Sequence, residues 1–175
     1  MTHPVLVTYA SRSGSTEEVA RAIGRTLKEV GLQVEVKPMQ DVKDLAPYQA
    51  VIAGSAICGS KWLPEAVQFI RAHQSTLRHK PFAMFTVCIT LAMRNGEQYR
   101  AAVAGWTAPV RSIVRPLSEG LFPGILDFNK LPTNWDTLKL RATVAMGIFP
   151  RGDHSDWNAV RVWAESLKPL IAIPA

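Results

Sequence analysis

Val5-Leu6-Val7-Thr8-Tyr9 runs, one residue later, into Ser11-Arg12-Ser13-Gly14-Ser15-Thr16, so a short β-branched run is joined to hydroxyls gathered around one glycine. The first five residues read as a strand buried on both faces. Across residues 16–30, Val19, Ile23, Leu27 and Val30 recur at spacings of three and four, which gives a helix one apolar stripe. Ser15 and Glu18 have capping-box spacing at its start, and Gly31 suits the left-handed residue that ends it. The hydroxyl-rich loop therefore falls between a strand and a helix. There the first amide N–H groups are unpaired and the helix dipole favours an anion. Gly14 lets a ligand approach the backbone closely, and the hydroxyls of Ser11, Ser13, Ser15 and Thr16 can donate to it. Four hydroxyls exceed what one helix cap uses. The segment is predicted to hold a phosphate. It lacks the lysine of a triphosphate-binding loop and the three glycines of a dinucleotide turn.

Outward from this segment, strand and helix patterns alternate. Residues 33–37 alternate as a second strand and residues 50–53 make a third. A helix is predicted over 63–77 with Pro64 in its first turn, a fourth strand over 82–89, and a helix over 97–114 bent near Pro109. Residues 117–126 read as a fifth strand and 143–149 as a further one, with an insertion over 127–141 between them. A last helix over 156–171 places Trp157, Val160, Ala164, Leu167 and Ile171 on one side. Alternation of this kind implies a parallel sheet covered on both faces. The expected architecture is an α/β three-layer sandwich with a five-stranded parallel sheet in the order 2-1-3-4-5. Its insertion lies in or after the fifth strand, and residues 1–175 form one domain. In that order, ligands sit at the carboxyl ends of the strands, at the switch between the first and third.

Composition narrows the function. The 175 residues suit one compact domain, and 47% apolar with 19% charged residues is ordinary for a soluble protein. The longest apolar run, residues 82–89, is too short to span a bilayer, and no leader pattern precedes the first strand, so a cytoplasmic location is expected. Cys58 and Cys88 have no paired spacing and the four histidines share none, so neither a disulfide nor a metal site is expected. The formal charge of +6 favours anionic partners. The cations are dispersed rather than run together, which argues against nucleic acid.

The phosphate segment resembles the FMN-phosphate loop of the flavodoxin family, Ser/Thr-x-Ser/Thr-Gly-x-Thr, over Ser11, Ser13, Gly14 and Thr16. The resemblance implies FMN as cofactor, held by Ser11, Ser13, Ser15 and Thr16 with the backbone of Arg12 and Gly14. A loop built for one terminal phosphate implies FMN in preference to FAD or riboflavin. The family places its first ring-contacting loop after the third strand. Here that is Gly54-Ser55-Ala56-Ile57-Cys58-Gly59-Ser60-Lys61-Trp62. By likeness, Ala56, Ile57, Cys58 and Gly59 face the flavin ring, Ser55 reaches the phosphate, and Trp62 offers a flat surface for stacking. Cys58-Gly59-Ser60 is similar to the turn that, in some flavodoxins, flips its peptide when flavin N5 gains a proton. The second ring loop is Thr90-Leu91-Ala92-Met93-Arg94, where flavodoxins usually have a stacking tyrosine. This chain has none there; Tyr99 comes later, inside the predicted helix.

Within the superfamily, the chain most resembles menaquinone-dependent protoporphyrinogen oxidases. The resemblance lies in Gly-Ser-Ala-Ile at 54–57, Trp-Leu-Pro-Glu-Ala at 62–66, the stretch 122–131, and Gly-Asp-His-Ser-Asp-Trp at 152–157. It implies an FMN-dependent oxidoreductase acting between protoporphyrinogen and a quinone-like acceptor. The flavin carries the chemistry, and no catalytic side chain is assigned. Positive charge suits a carboxylate-bearing substrate or an anionic membrane, so peripheral contact with the inner face of a membrane is a further expectation, with the apolar residues of 127–141 as a candidate contact. Arg12, Lys61, Arg94 and Lys130 are expected around the flavin mouth. The alternative is a soluble flavodoxin-type electron carrier serving protein redox partners. Carriers of that kind are usually acidic, which disfavours it here.

Overall fold

The computed structural model of the protein describes residues 3–93, 95–124 and 156–172. Its elements are β1 (Val5–Ala10), α1 (Ser15–Glu29), β2 (Val34–Pro38), β3 (Ala50–Cys58), β4 (Lys61–Trp62), α2 (Pro64–Ala72), α3 (Gln74–Leu77), β5 (Phe82–Cys88), α4 (Gly96–Trp106), α5 (Ala108–Ile113), β6 (Glu119–Pro123) and α6 (Trp157–Ile171). Two short 3-10 turns cover Met39–Asp41 and Ile89–Ala92. The sheet runs β2-β1-β3-β5-β6 with every neighbouring pair parallel, while β4 folds back antiparallel on β3. With β4 set aside, this is the order 2-1-3-4-5.

Alternate residues of each strand face opposite helical layers. Val5, Val7 and Tyr9 pack with Val19, Ile23 and Leu27 of α1 and Val160, Ala164, Leu167 and Ile171 of α6. Leu6 and Ala10 face the other way, toward Ala66, Phe69 and Ile70 of α2 and Val110 of α5. Each fully buried aliphatic side chain contributes on the order of 1.5–3 kcal/mol, so the two cores hold the carboxyl ends of β1, β3 and β5 in fixed register. Asp156 caps α6 by accepting from the Ala159 N–H at 2.9 Å. Near the other end of that helix, Lys168 Nζ donates to the Val30 carbonyl at 2.7 Å, so α6 closes the carbonyl end of α1.

Several boundaries differ from the sequence expectation, each for a local reason. The capping box does not form: the N-cap of α1 is Gly14, at φ 89°, and no side chain caps it. Gly31, at φ 90°, does end the helix, with its N–H on Lys28 and the Leu32 N–H on Leu27. The helix predicted over 63–77 breaks at His73 into α2 and α3. The one over 97–114 breaks at Thr107, whose hydroxyl turns back to the Ala104 carbonyl at 2.8 Å, and Pro109 then lies in the first turn of α5. β3 runs five residues beyond the predicted end, through the stretch assigned to a loop. Gly54 stays in the strand because the Phe85 ring occupies the place of a side chain, 2.0 Å from where a Cβ would sit. The insertion 127–141, the strand predicted over 143–149, Arg94 and Lys130 lie outside the described residues.

Candidate functional site

The end of β1 delivers the hydroxyl-rich loop directly to the amino end of α1. Ser11 Oγ accepts from the Gly14 N–H at 3.0 Å, which pins the loop and leaves the Ser11 proton free to donate outward. The Gly14 carbonyl accepts from the Glu18 N–H at 3.1 Å, so the left-handed glycine opens the helix. With no side-chain cap, the first-turn amides of α1 are available to an anion. Thr16 is 0% exposed, and its Oγ1 has no hydrogen-bond partner among the described residues. An unpaired buried hydroxyl costs about 1–3 kcal/mol, so its persistence beside free helix amides fits a phosphate oxygen as the missing acceptor. Gly124, just past β6, completes the wall; a Cβ there would stand 3.6 Å from Ser15 Oγ and 3.2 Å from a Val87 methyl. Sequence reasoning missed Gly124, because only the parallel β5–β6 pairing brings it to α1.

The stretch after β3 is a hairpin rather than a loop. Ile57 faces Trp62 and Cys58 faces Lys61 across a two-residue turn in which Gly59 (φ 57°) and Ser60 (φ 59°) are both left-handed. Such a turn matches the twist of its strands, and glycine meets its demand more readily than serine. Two expectations are corrected here. Ser55 is wholly buried; its Oγ donates to the Ala56 carbonyl at 2.8 Å and accepts from the Leu63 N–H at 3.0 Å. It therefore ties the hairpin to the start of α2 and does not reach out to a phosphate. Trp62 is 3% exposed, and its indole N–H donates to Thr86 Oγ1 at 2.8 Å. The ring lies in the core and presents no face for stacking. The turn itself, with Cys58, is exposed.

Thr90, Leu91, Ala92 and Met93 form or follow the 3-10 turn at the end of β5 and are all half-buried. Gly96 lets α4 begin directly against this turn, since a Cβ there would meet the Leu91 carbonyl oxygen at 2.1 Å. The charge near the site is smaller than the sequence suggests. Arg12 is held by Glu65 at the start of α2 through two hydrogen bonds, Nη2 to Oε2 being 3.0 Å. Lys61 is exposed and makes no ion pair among the described residues. Beneath the loop, burial and the adjacent Glu17 carboxylate push the Tyr9 phenol above its ordinary pKa.

A doubly wound sheet with an anion-ready helix start at the end of its first strand defines a flavodoxin-like redox domain. The model of the Flavodoxin domain family matches residues 6–147, and the chain belongs to that family. Among curated proteins it is 26% identical over 84 residues to the protoporphyrinogen IX dehydrogenase [quinone] of Escherichia coli (strain K12), a match covering 47% of this chain and 46% of that protein. The match thus spans about half the length of the curated relative. Among solved structures, a short-chain flavodoxin associated with a bacterial microcompartment superposes with a TM-score of 0.61 at 16% identity, covering 98% of this chain and 100% of that one. A flavodoxin from Streptococcus pneumonia TIGR4 gives 0.57 at 17% identity, covering 94% and 97%. At such identities these structures bear on the fold alone. Among the described residues, no helix is long and apolar enough to cross a membrane.

Proposed function

We propose that the chain binds FMN and works as an oxidoreductase, passing electrons from protoporphyrinogen or a similar carboxylate-bearing reductant to a quinone-like acceptor. The observation that carries the FMN reading is the phosphate loop, where the buried, unpartnered Thr16 hydroxyl lies beside the uncapped start of α1. In this reading Ser11, Ser13, Ser15 and Thr16 donate to the phosphate, with backbone amides of the loop and Gly124 leaving it room. The exposed hairpin turn and the turn of residues 90–93 flank the ring, with Ala56, Ile57, Cys58 and Gly59 on one side and Thr90, Leu91, Ala92, Met93 and Arg94 on the other. FMN, when bound, supplies the redox chemistry. The protein's part is to fix its phosphate, orient its ring between the two turns and leave one face accessible. The absence of a stacking tyrosine in 90–94 and the burial of Trp62 both support an open face.

The partial match to protoporphyrinogen IX dehydrogenase and the charge of +6 support the substrate class. Of the cations expected at the mouth, Arg12 is neutralised by Glu65, so steering falls to Lys61 with Arg94 and Lys130. An anionic membrane holding the quinone is the matching surroundings. A carrier role is the second reading, supported by the fold shared with flavodoxins. Steady-state oxidation of protoporphyrinogen with a soluble quinone tests the enzyme reading. Turnover is expected; single-electron exchange with protein partners and no quinone-dependent turnover would return the carrier to first place.

A further inference from the structure

The parallel ladder between β3 and β5 ends where Ala56 pairs with Val87. Residues 57–62 therefore overhang the sheet as a hairpin of two cross-strand pairs, Ile57 with Trp62 and Cys58 with Lys61. A two-stranded ribbon so short has little stability of its own. Gly59 at its tip stands in open space, where an added Cβ would meet nothing within 4 Å. The place of the tip is thus inherited from the base, and two side-chain hydrogen bonds hold the base. Ser55 Oγ accepts from the Leu63 N–H at 3.0 Å, a bond that stays between β3 and the exit of the hairpin. The indole N–H of Trp62 donates to Thr86 Oγ1 at 2.8 Å, and among the described residues this is the one side-chain hydrogen bond from the hairpin to β5.

We propose that Trp62 and Thr86 are a positioning pair for the flavin ring. β5 leads directly into the turn of residues 89–92, so the bond ties the hairpin to the strand that carries the opposite flank of the ring. The tie sets how far apart the two flanks stand. Trp62 is 3% exposed and Thr86 1%, so the pair acts through the two backbone segments rather than by contact with the ring. The inference rests on the FMN reading above and gives Trp62 a part in it other than stacking.

The chemistry of the pair makes the tie specific. β5 reads Phe-Ala-Met-Phe-Thr-Val-Cys and is buried throughout, and Thr86 is its one hydroxyl. A hydroxyl in such a strand is costly unless it is bonded. The indole nitrogen only donates, and Thr86 Oγ1 is the acceptor it needs. Threonine is stiff at χ1, and the indole belongs to the core cluster of Leu63, Phe69 and Met84. Neither partner can swing away without leaving a buried polar group unpaired.

The test is fluorescence titration of flavin-free protein with FMN and with riboflavin, beside urea unfolding of the same proteins. The variants are Thr86→Val, Thr86→Ser, and Trp62→Phe combined with Thr86→Val. The double variant removes both partners at once, so it keeps no orphaned group and recovers stability, yet it lacks the tie. It is expected to bind FMN and riboflavin more weakly by the same factor, about three- to tenfold, because the phosphate loop is untouched. Thr86→Val is expected to match it in flavin affinity while unfolding at lower urea; should Thr86→Val fail to fold, the double variant carries the test. Thr86→Ser keeps the hydroxyl and is expected to bind both flavins like the wild type. A double variant with wild-type affinity for both flavins overturns the proposal, since the pair would then serve stability alone. Weakening of FMN with riboflavin unchanged overturns it too, because the effect would then lie at the phosphate. So does a wild type that binds FMN and has no measurable affinity for riboflavin, since no ring contact would be left for the pair to position. In all three cases the FMN reading stands. Failure of the wild type to bind either flavin takes down the FMN reading itself, and the inference with it.

Discussion

Replacing Thr16 with valine should move the stability of the flavin-free protein and its affinity for FMN in opposite directions. Valine keeps the shape of threonine and removes only the hydroxyl. That hydroxyl is buried and has no partner among the described residues, so without a ligand its removal relieves a desolvation cost. An orphaned buried group costs about 1–3 kcal/mol, and helix propensity hardly changes between the two residues. The variant should therefore unfold at higher urea, by roughly 1 kcal/mol in free energy. With FMN the same change deletes a hydrogen bond to a charged oxygen, about 1.5–3 kcal/mol, or roughly 10- to 150-fold in Kd. Thr8 supplies the control. Its Oγ1 is equally buried and unpartnered, but Thr8 lies within β1 rather than in the loop. Thr8→Val should gain stability and bind FMN like the wild type. Urea unfolding of the flavin-free proteins and fluorescence titration with FMN give both quantities. A Thr16→Val protein that loses stability, or binds FMN as tightly as the wild type, would refute the assignment of that hydroxyl to the phosphate.

Three further outcomes test the scaffold around the site. Trp62→Phe strands the Thr86 hydroxyl in the core and should cost about 1–3 kcal/mol, whereas Trp62→Phe with Thr86→Val should recover part of that; two additive losses in a double-mutant cycle would mean that the 2.8 Å bond contributes nothing. In the hairpin turn, Ser60→Gly should raise the thermal midpoint, because relief of a left-handed serine (about 1–2 kcal/mol) outweighs the entropy of the added glycine (about 0.5–1 kcal/mol), and Gly59→Val should lower it; the reverse order would contradict the two positive φ angles. Lys37 first, then Tyr48, hold the Glu35 carboxyl below its ordinary value of 4.5, so its contribution is present above that pH and is lost as pH falls through the lower folded value. Urea midpoints of the wild type and Glu35→Gln should accordingly differ at pH 7 and converge once the pH has fallen below the lowered folded value, and a gap independent of pH would exclude the linkage.

What the sequence made legible was whatever depends on neighbours along the chain. The stripe of Val19, Ile23 and Leu27, the stop at Gly31 and the apolar strands follow from local periodicity, and the strand order follows from their alternation. What it hid depends on partners far away. Gly54 and Ser55 look like loop residues until Phe85 is seen to fill the space a side chain would need. Trp62 resembles a stacking platform until Thr86, 24 residues on, is seen to take its N–H. The capping box fails because Gly14 already turns the chain into the helix at positive φ. At the site, the loop could be read from its hydroxyls, while the place of Gly124 and the Arg12–Glu65 pair exist only through the parallel packing.

The position of α6 on the carbonyl end of α1 carries a consequence for the order of events at birth. The helix that follows the phosphate loop leaves the ribosome well before the residues that cover its apolar stripe, Val160, Ala164, Leu167 and Ile171 of α6. The Lys168–Val30 contact joins residues 138 apart in sequence. Until the residues of α6 emerge, a nascent chain carries α1 with its inner face only partly sheltered by β1 and β3. Contacts this distant slow folding, because chain entropy must be surrendered before they form. The loop at the head of α1 can thus be translated early yet become rigid late, and chains stalled before α6 are the species a chaperone would have to shield.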